Sequence, residues 1–205
     1  MSGEGSAPRY WYATMFGGAS IAQPIDYSYV QLGVQTHEGH QDLATGYLAG
    51  GALGMRFGEG FRAEIEASYQ RFNAGDVVYD KPGPAIHHDG NGRQTATYVL
   101  GNVWYDFVSF SAIRPYAGGG VGVAFVNQHI DQPDNTLGPS GNDTVFAFQA
   151  GAGVNFALAE WVSLDIGYRF RGIMQADIKG QLAGDVHSGQ DIYSHNIIAG
   201  LTLNF

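Results

Sequence analysis

The stretch that decides the fold is Ile197–Phe205, IIAGLTLNF. One set of alternate residues is uniformly apolar: Ile197, Ala199, Leu201, Leu203 and Phe205. The set between them, Ile198, Gly200, Thr202 and Asn204, is mixed. Because successive side chains of a strand point to opposite faces, this pattern predicts a strand with one face suited to lipid. The sequence stops on an aromatic residue, which we expect at the membrane interface of such a strand.

The amino-acid composition fits a protein that crosses a membrane with β-strands. Only 14% of the 205 residues are charged, below the usual quarter, yet no apolar run approaches the ~20 residues of a spanning helix. The mean hydropathy is −0.12, which fits a barrel whose alternate residues meet lipid. The absence of cysteine excludes disulfides and thiolate sites, and the net charge of −9 argues against nucleic acid.

Similar alternation recurs along one domain. We predict eight strands at Arg9–Ile21, Ala44–Phe57, Phe61–Asn73, Arg93–Phe107, Tyr116–Val126, Thr144–Ala157, Val162–Arg171 and Tyr193–Phe205. The connections alternate between long and short, as in an all-β, antiparallel up-and-down transmembrane barrel with short periplasmic turns and four long extracellular loops. The domain is predicted to cover residues 9–205, after a disordered segment at residues 1–8. That segment lacks the basic start and apolar core of a signal peptide, so we expect a mature form with an added Met1.

Alternation alone does not exclude a soluble, lipocalin-like barrel, because that class also alternates, with an apolar interior and a polar exterior. Three features favour the membrane barrel. Aromatic residues collect at both ends of the predicted strands, the apolar faces carry almost no charge, and the sequence ends in a strand. The first strand stays ambiguous, because its aromatic residues occur in both parities.

Four segments carry a resemblance to a known family: Asn102–Phe107 (NVWYDF), Arg114–Phe125 (RPYAGGGVGVAF), Trp161–Arg171 (WVSLDIGYRFR) and Ser194–Phe205 (SHNIIAGLTLNF). Together they resemble the OmpA-like and opacity-protein superfamily of eight-stranded outer-membrane barrels, in particular small alphaproteobacterial surface proteins. The resemblance implies the fold and the bacterial outer membrane as location, and it says hardly anything about activity. It also implies that Phe205 is the assembly signal read by the barrel-assembly machinery.

The predicted inward faces carry a charge network of four cations and four anions: Arg56, Arg62, Glu64, Glu66, Asp106, Asp165, Arg169 and Arg171. An eight-stranded barrel is just wide enough for side chains to fill it, and enclosed charges must pair. We therefore expect a plugged lumen, which Trp104 and Tyr116 would block further. An ion or proton path is the alternative. The inward glycines Gly118, Gly120 and Gly122 are expected to leave room for these large neighbours.

The long loops are strongly acidic. Two lysines, Lys81 and Lys179, stand against twelve acids: Asp26, Glu38, Asp42, Asp76, Asp80, Asp89, Asp131, Asp134, Asp143, Asp177, Asp185 and Asp191. Their carboxylates suit solvation or divalent-cation bridging to lipopolysaccharide. All seven histidines lie in or beside these loops, but their spacing matches no closed ligand set, so no metal site is predicted.

A lipid A-modifying enzyme would need a serine with a histidine base at a productive spacing. The pairs His187-Ser188 and Ser194-His195 are adjacent in sequence, and adjacent strand residues face opposite ways. No catalytic or cofactor site is therefore predicted. We expect a monomeric, non-enzymatic surface protein that packs against outer-membrane lipid and lipopolysaccharide. An adhesin that binds a host ligand through Tyr27, Tyr29, Tyr79 and neighbouring loop residues is the alternative.

Overall fold

The computed structural model describes residues 10–23, 26–31, 35–41, 45–73, 77–79, 86–88, 92–107, 112–130, 141–177 and 189–205. Eight of its strands close a barrel: β1 Tyr10–Ala22, β4 Thr45–Phe57, β5 Phe61–Asn73, β8 Gly92–Asp106, β9 Ile113–Ile130, β10 Gly141–Ala159, β11 Val162–Asp177 and β12 Gly189–Asn204. Four short strands form a second sheet: β2 Asp26–Gln31, β3 Gln35–Gln41, β6 Val77–Tyr79 and β7 Ile86–His88. The described residues include no helix, and so none long or apolar enough to cross a membrane.

Every neighbouring pair of barrel strands is antiparallel, in the order β1-β12-β11-β10-β9-β8-β5-β4, and β1 also pairs with β4. The predicted fold class is confirmed. The β4–β5 turn spans three residues, and it needs glycine because Gly58 and Gly60 have φ angles of 58° and 91°. The predicted disordered segment, residues 1–8, lies outside the described residues.

The apolar set of each barrel strand lies outside. Ile65 is 68% exposed and Ile197 is 67% exposed, whereas Arg169 and Arg171, on the alternate parity, are buried. A soluble barrel would show the reverse, so the lipocalin alternative is wrong. Pairing also settles the ambiguous strand β1: Trp11 and Met15 face outward, while Tyr12 is buried in the lumen.

Aromatic residues ring the outside near the short-turn end. Four of them form a ladder, with ring centroids 6.0 Å apart for Phe57 and Phe61, 4.9 Å for Phe61 and Tyr105, and 5.3 Å for Tyr105 and Phe107. At the opposite end the exposed rings are Tyr47, Tyr69, Phe125 and Phe146. The two bands match the interfacial girdles of outer-membrane barrels.

The sequence-based expectation missed strands inside two of the loops and misplaced several ends of the barrel strands. The segments expected to be the first two loops contain strands β2, β3, β6 and β7, which pair as one sheet in the order β2-β3-β6-β7. Strands β9 to β12 also run past their predicted ends, for example to Ile130 in β9 and Asp177 in β11. Outside the bilayer both faces of a strand meet water, so the apolar alternation that marks lipid-facing strands disappears there.

Candidate functional site

The described part of the lumen has a polar section below an apolar section. At the extracellular end, inward residues form one buried apolar cluster: Ala96, Tyr98, Leu100, Ala124, Val126, Val145, Ala147, Ile173 and Ile192. Next to it, the Gln70 amide donates to the hydroxyl oxygens of Ser20 (3.1 Å) and Ser194 (3.2 Å) and to Asn196 Oδ1 (2.7 Å). The sequence analysis missed this apolar section, although the parity of Tyr98, Leu100 and Ile173 already assigns them to the inner face.

The ion pair in the middle of the lumen joins β5 and β11. Glu66 Oε1 lies 2.5 Å from Arg171 Nη2, and these side chains are 2% and 1% exposed. The other Glu66 oxygen accepts hydrogen bonds from Gln149 (2.7 Å) and Asn102 (3.0 Å), and Ser68 donates to Oε1 (2.8 Å). Such full hydrogen bonding offsets much of the cost of burying the charges.

Aromatic side chains donate hydrogen bonds to two further predicted anions, Glu64 and Asp165. Glu64 accepts hydrogen bonds from the Tyr12 hydroxyl and the Trp104 indole, both at 2.8 Å. The Tyr116 hydroxyl donates to Asp165 (2.8 Å) and accepts from Arg169 (3.1 Å).

The guanidinium of Arg169 stacks 4.1 Å from the centroid of the Trp104 ring. Three glycines make room for the large side chains, since a Cβ on Gly118 would lie 2.8 Å from Trp104 Cε3 and one on Gly153 or Gly167 would meet the Tyr116 hydroxyl.

Asp106 connects two arginines near the short turns. Its two oxygens lie 2.8 Å from Arg56 Nη1 and 2.8 Å from Arg62 Nη2. Arg62 also crosses the lumen with its guanidinium 5.7 Å from the Tyr12 ring centroid and 4.8 Å from that of Tyr116. Arg56 reaches the Asn204 side chain as well, at 3.4 Å.

All eight residues of the predicted network therefore face the lumen, but they do not pair one to one. The structure adds a fifth inward arginine, Arg114, which shares the parity of the buried Tyr116. Arg114 was not predicted to face the lumen, because the strand was predicted to begin at Tyr116 and Arg114 to lie in the turn before it. In the polar section of the described lumen, five arginines face four carboxylates, so the predicted charge balance is wrong.

The outer face carries one polar group of interest near the extracellular end. His195 Nδ1 lies 2.6 Å from the Tyr168 hydroxyl, and His195 Nε2 lies 3.0 Å from Gln23 Nε2. Ser194, its sequence neighbour, points inward and bonds Gln70 and Asn196. The two side chains are on opposite sides of the wall, so this pair cannot act as a catalytic dyad. The other pair, His187-Ser188, lies outside the described residues.

Phe205 closes the barrel through its backbone. Its N–H donates to the Trp11 carbonyl at 2.9 Å, and its carbonyl accepts from the Trp11 N–H at 3.1 Å. Its side chain is 70% exposed. Among the side chains that the structure describes, no group of three or more histidines and acids could hold a metal ion.

Residues 5–205 match the sequence profile of a family described as the outer membrane protein beta-barrel domain. The chain belongs to this family. Outer membrane protein PagN of Salmonella typhimurium is 27% identical over a match of length 195, which covers 84% of this chain and 79% of that protein. Putative adhesin RC1281 of Rickettsia conorii is 34% identical over 128 residues, and the match spans 55% of this chain and about half (51%) of that protein.

Solved structures agree on the fold. Neisserial surface protein A superposes with a TM-score of 0.54 at 19% identity, covering 98% of this chain and 100% of that chain. The outer membrane protein OprG from Pseudomonas aeruginosa also gives a TM-score of 0.54, at 16% identity, covering 98% and 97%. With the family, this barrel places the chain in the bacterial outer membrane. The long connections are extracellular and the short turns are periplasmic.

Proposed function

We propose that the chain is a non-enzymatic surface protein whose sealed barrel anchors acidic loops outside the cell and packs against lipopolysaccharide. The observation that carries this proposal is the filled lumen. Trp104 and Tyr116 are almost fully buried across the polar section, and the apolar cluster lies above them. An eight-stranded barrel has no spare width once such side chains occupy it, so transport through the middle is disfavoured.

Planar-bilayer recording tests the sealed lumen. We expect the wild-type protein to give no steady conductance steps, because paired charges and stacked rings occupy the path. Trp104→Ala should introduce a measurable leak, whereas Trp161→Ala, a tryptophan change on the outer face, should not. Stable nanosiemens steps from the wild-type protein would refute the sealed barrel and favour a channel.

The absence of enzymatic activity has a separate test. The described residues contain no serine within reach of His195, and the hydroxyl beside that ring is the phenol of Tyr168. Mass spectra of lipid A incubated with the folded protein should show the same acyl chains as lipid A alone. Loss or gain of a chain would make the protein an enzyme.

Packing against lipopolysaccharide is supported by the extracellular end of the outer face. Arg71 lies there, opposite Tyr47 and Thr95 in the register, so a cation and an aromatic residue share the level of the lipid headgroups. Phosphates of lipid A suit an arginine. We expect the urea midpoint to be higher in bilayers with lipopolysaccharide and Mg²⁺ than in phosphatidylcholine, and Arg71→Gln should reduce that difference. Equal midpoints in the two bilayers would contradict this part of the proposal.

Adhesion is a second candidate, and the loop sheet favours it. Register places Tyr27, Gly39 and Tyr79 in one row across β2, β3 and β6, and Tyr29 follows two residues after Tyr27 in β2. Tyrosine provides a large contact area at low entropic cost and is common in binding surfaces. The relative named putative adhesin adds to this support.

Cell-binding assays separate the two candidates. A triple variant, Tyr27→Ser, Tyr29→Ser and Tyr79→Ser, should lose binding to host cells if the loops are adhesive. The matched control changes Ser28→Ala and Glu38→Gln, which are register partners in the same sheet. Equal binding by both variants and the wild-type protein would leave the anchoring role as the function.

A further inference from the structure

The periplasmic mouth of the lumen has more arginine than its carboxylates can neutralise. Arg56 and Arg62 share the single carboxylate of Asp106. Arg114 lies two residues before Tyr116, the register partner of Asp106, on the same inward parity, and none of the described carboxylates forms an ion pair with Arg114. Two other carboxylates of the polar section already accept hydrogen bonds from uncharged groups: Glu64 from Tyr12, Trp104 and Asn102, and Asp165 from Tyr116. Three guanidinium groups at one end of a narrow barrel create a local positive potential.

A second, independent observation lies at the same end. Asn155 in β10 is 2% exposed, and neither its Oδ1 nor its Nδ2 has a hydrogen-bond partner among the described residues. Register places Asn155 directly between Arg114 on β9 and Asp165 on β11. Buried side-chain amides are normally hydrogen-bonded. Both polar atoms of this amide thus lack a hydrogen-bond partner among the described residues, and the amide lies beside an arginine that has no carboxylate partner.

We propose that the periplasmic mouth is a binding site for a small oxyanion, a phosphate or carboxylate group, held by Arg62, Arg114 and Asn155 with Arg56 at its rim. A guanidinium fork matches the paired oxygens of such a group, and the asparagine Nδ2 supplies a further donor. The stacking of Arg62 between the rings of Tyr12 and Tyr116 fixes its plane in advance.

The burial of the four side chains indicates that a ligand reaches the site from the periplasm. Arg56 and Arg114 are partly exposed, whereas Arg62 and Asn155 are buried behind them. Trp104 and Tyr116 close the lumen above the site, so a ligand enters and leaves on the periplasmic side only. The site is thus compatible with a sealed barrel and does not depend on the role of the extracellular loops.

Nuclear magnetic resonance of the folded protein in micelles tests the site directly. Inorganic phosphate and acetate are titrated separately at constant ionic strength, with chloride as the replaced anion. We expect saturable shifts of the Asn155 side-chain amide and the Arg62 Nε–H with one shared apparent Kd. The anion that binds more tightly identifies the group as phosphate or carboxylate.

Variants make the test specific. Arg114→Gln should weaken the apparent Kd by about tenfold or more, since it removes a charge-assisted hydrogen bond. Asn155→Asp should do the same by placing a negative charge beside the ligand. Glu59→Gln, which changes a charge in the exposed β4–β5 turn, should leave the titration unchanged.

Two results would overturn the proposal. One is a shift that stays linear in both anions for the wild-type protein, as expected for a merely hydrated mouth. The other is a saturable shift that Arg114→Gln and Glu59→Gln affect equally. Arg114 is partly exposed and forms no ion pair with a described carboxylate, so Arg114→Gln should fold. Asn155→Ala provides a second variant that introduces no charge.

Discussion

Glu66 is the residue on which the buried hydrogen bonds in the middle of the lumen converge. Arg171, Ser68, Gln149 and Asn102 all donate to its carboxylate. Replacing one partner of such a pair leaves an uncompensated buried charge, which typically costs about 3–5 kcal/mol. We therefore expect Glu66→Gln to lower the free energy of unfolding by about that amount. Equilibrium urea unfolding in lipid vesicles measures it.

The control for this prediction makes the same chemical change at an exposed site. Glu59 lies in the β4–β5 turn, so Glu59→Gln should change stability by less than about 0.5 kcal/mol. A double variant, Glu66→Leu with Arg171→Leu, should recover much of the loss because it removes both charges together. If Glu66→Gln and Glu59→Gln proved equally mild, the pair would contribute little to holding β5 against β11.

At the scale of strands, the packing of β8 against β9 depends on a glycine. A Cβ on Gly120 would overlap the Asn102 side chain and lie 2.5 Å from the backbone carbonyl oxygen of Gly101. Asn102 cannot move freely, because it bonds Glu64 and Glu66. We expect Gly120→Ala to destabilise the barrel by about 1–3 kcal/mol, as overpacking usually does. The urea midpoint is again the readout.

Gly101 is the matched control, because it lies across the same strand pair on the outer face. The nearest atom to a Cβ there is 3.9 Å away. Gly101→Ala should therefore be neutral, or stabilising by up to about 1 kcal/mol through the lower entropy of the unfolded chain. Similar losses from both alanines would mean that strand propensity, and not the overlap with Asn102, decides the effect.

The same strands illustrate what sequence can predict in a barrel. Lipid imposes one rule on the outer face, so alternation alone assigned Ile197, Leu201 and Leu203 to that face, and the structure agrees. The inner face obeys no single rule: one part is apolar and another is ionic. Pairing partners across the lumen, such as Asp106 with both Arg56 and Arg62, depend on strand order and side-chain reach, which a linear sequence does not contain.

At the scale of the whole molecule, charge is sorted along the barrel axis. The extracellular connections carry most of the acids, an apolar cluster closes the lumen beneath them, and arginine dominates at the periplasmic mouth. Every barrel strand has two neighbours, so no edge is left for pairing with another chain. The wall is completed where β1 meets β12, and the last bonds of that seam belong to Phe205 and Trp11.

Phe205 has two roles to distinguish: its backbone closes the barrel, and its ring is the predicted assembly signal. The substitution Phe205→Ala tests them separately. Its seam bonds are backbone bonds, which Phe205→Ala retains, and its exposed ring contributes little packing. Refolding in detergent micelles should therefore be close to wild type, with stability changed by less than about 1 kcal/mol.

In cells, the amount of heat-modifiable, membrane-inserted barrel should fall severalfold if the ring is read as the assembly signal. Trp161→Ala removes an equally exposed ring from the same girdle and should leave assembly intact. Normal assembly of Phe205→Ala would refute the signal, whereas equal loss in both variants would assign the effect to the aromatic girdle as a whole.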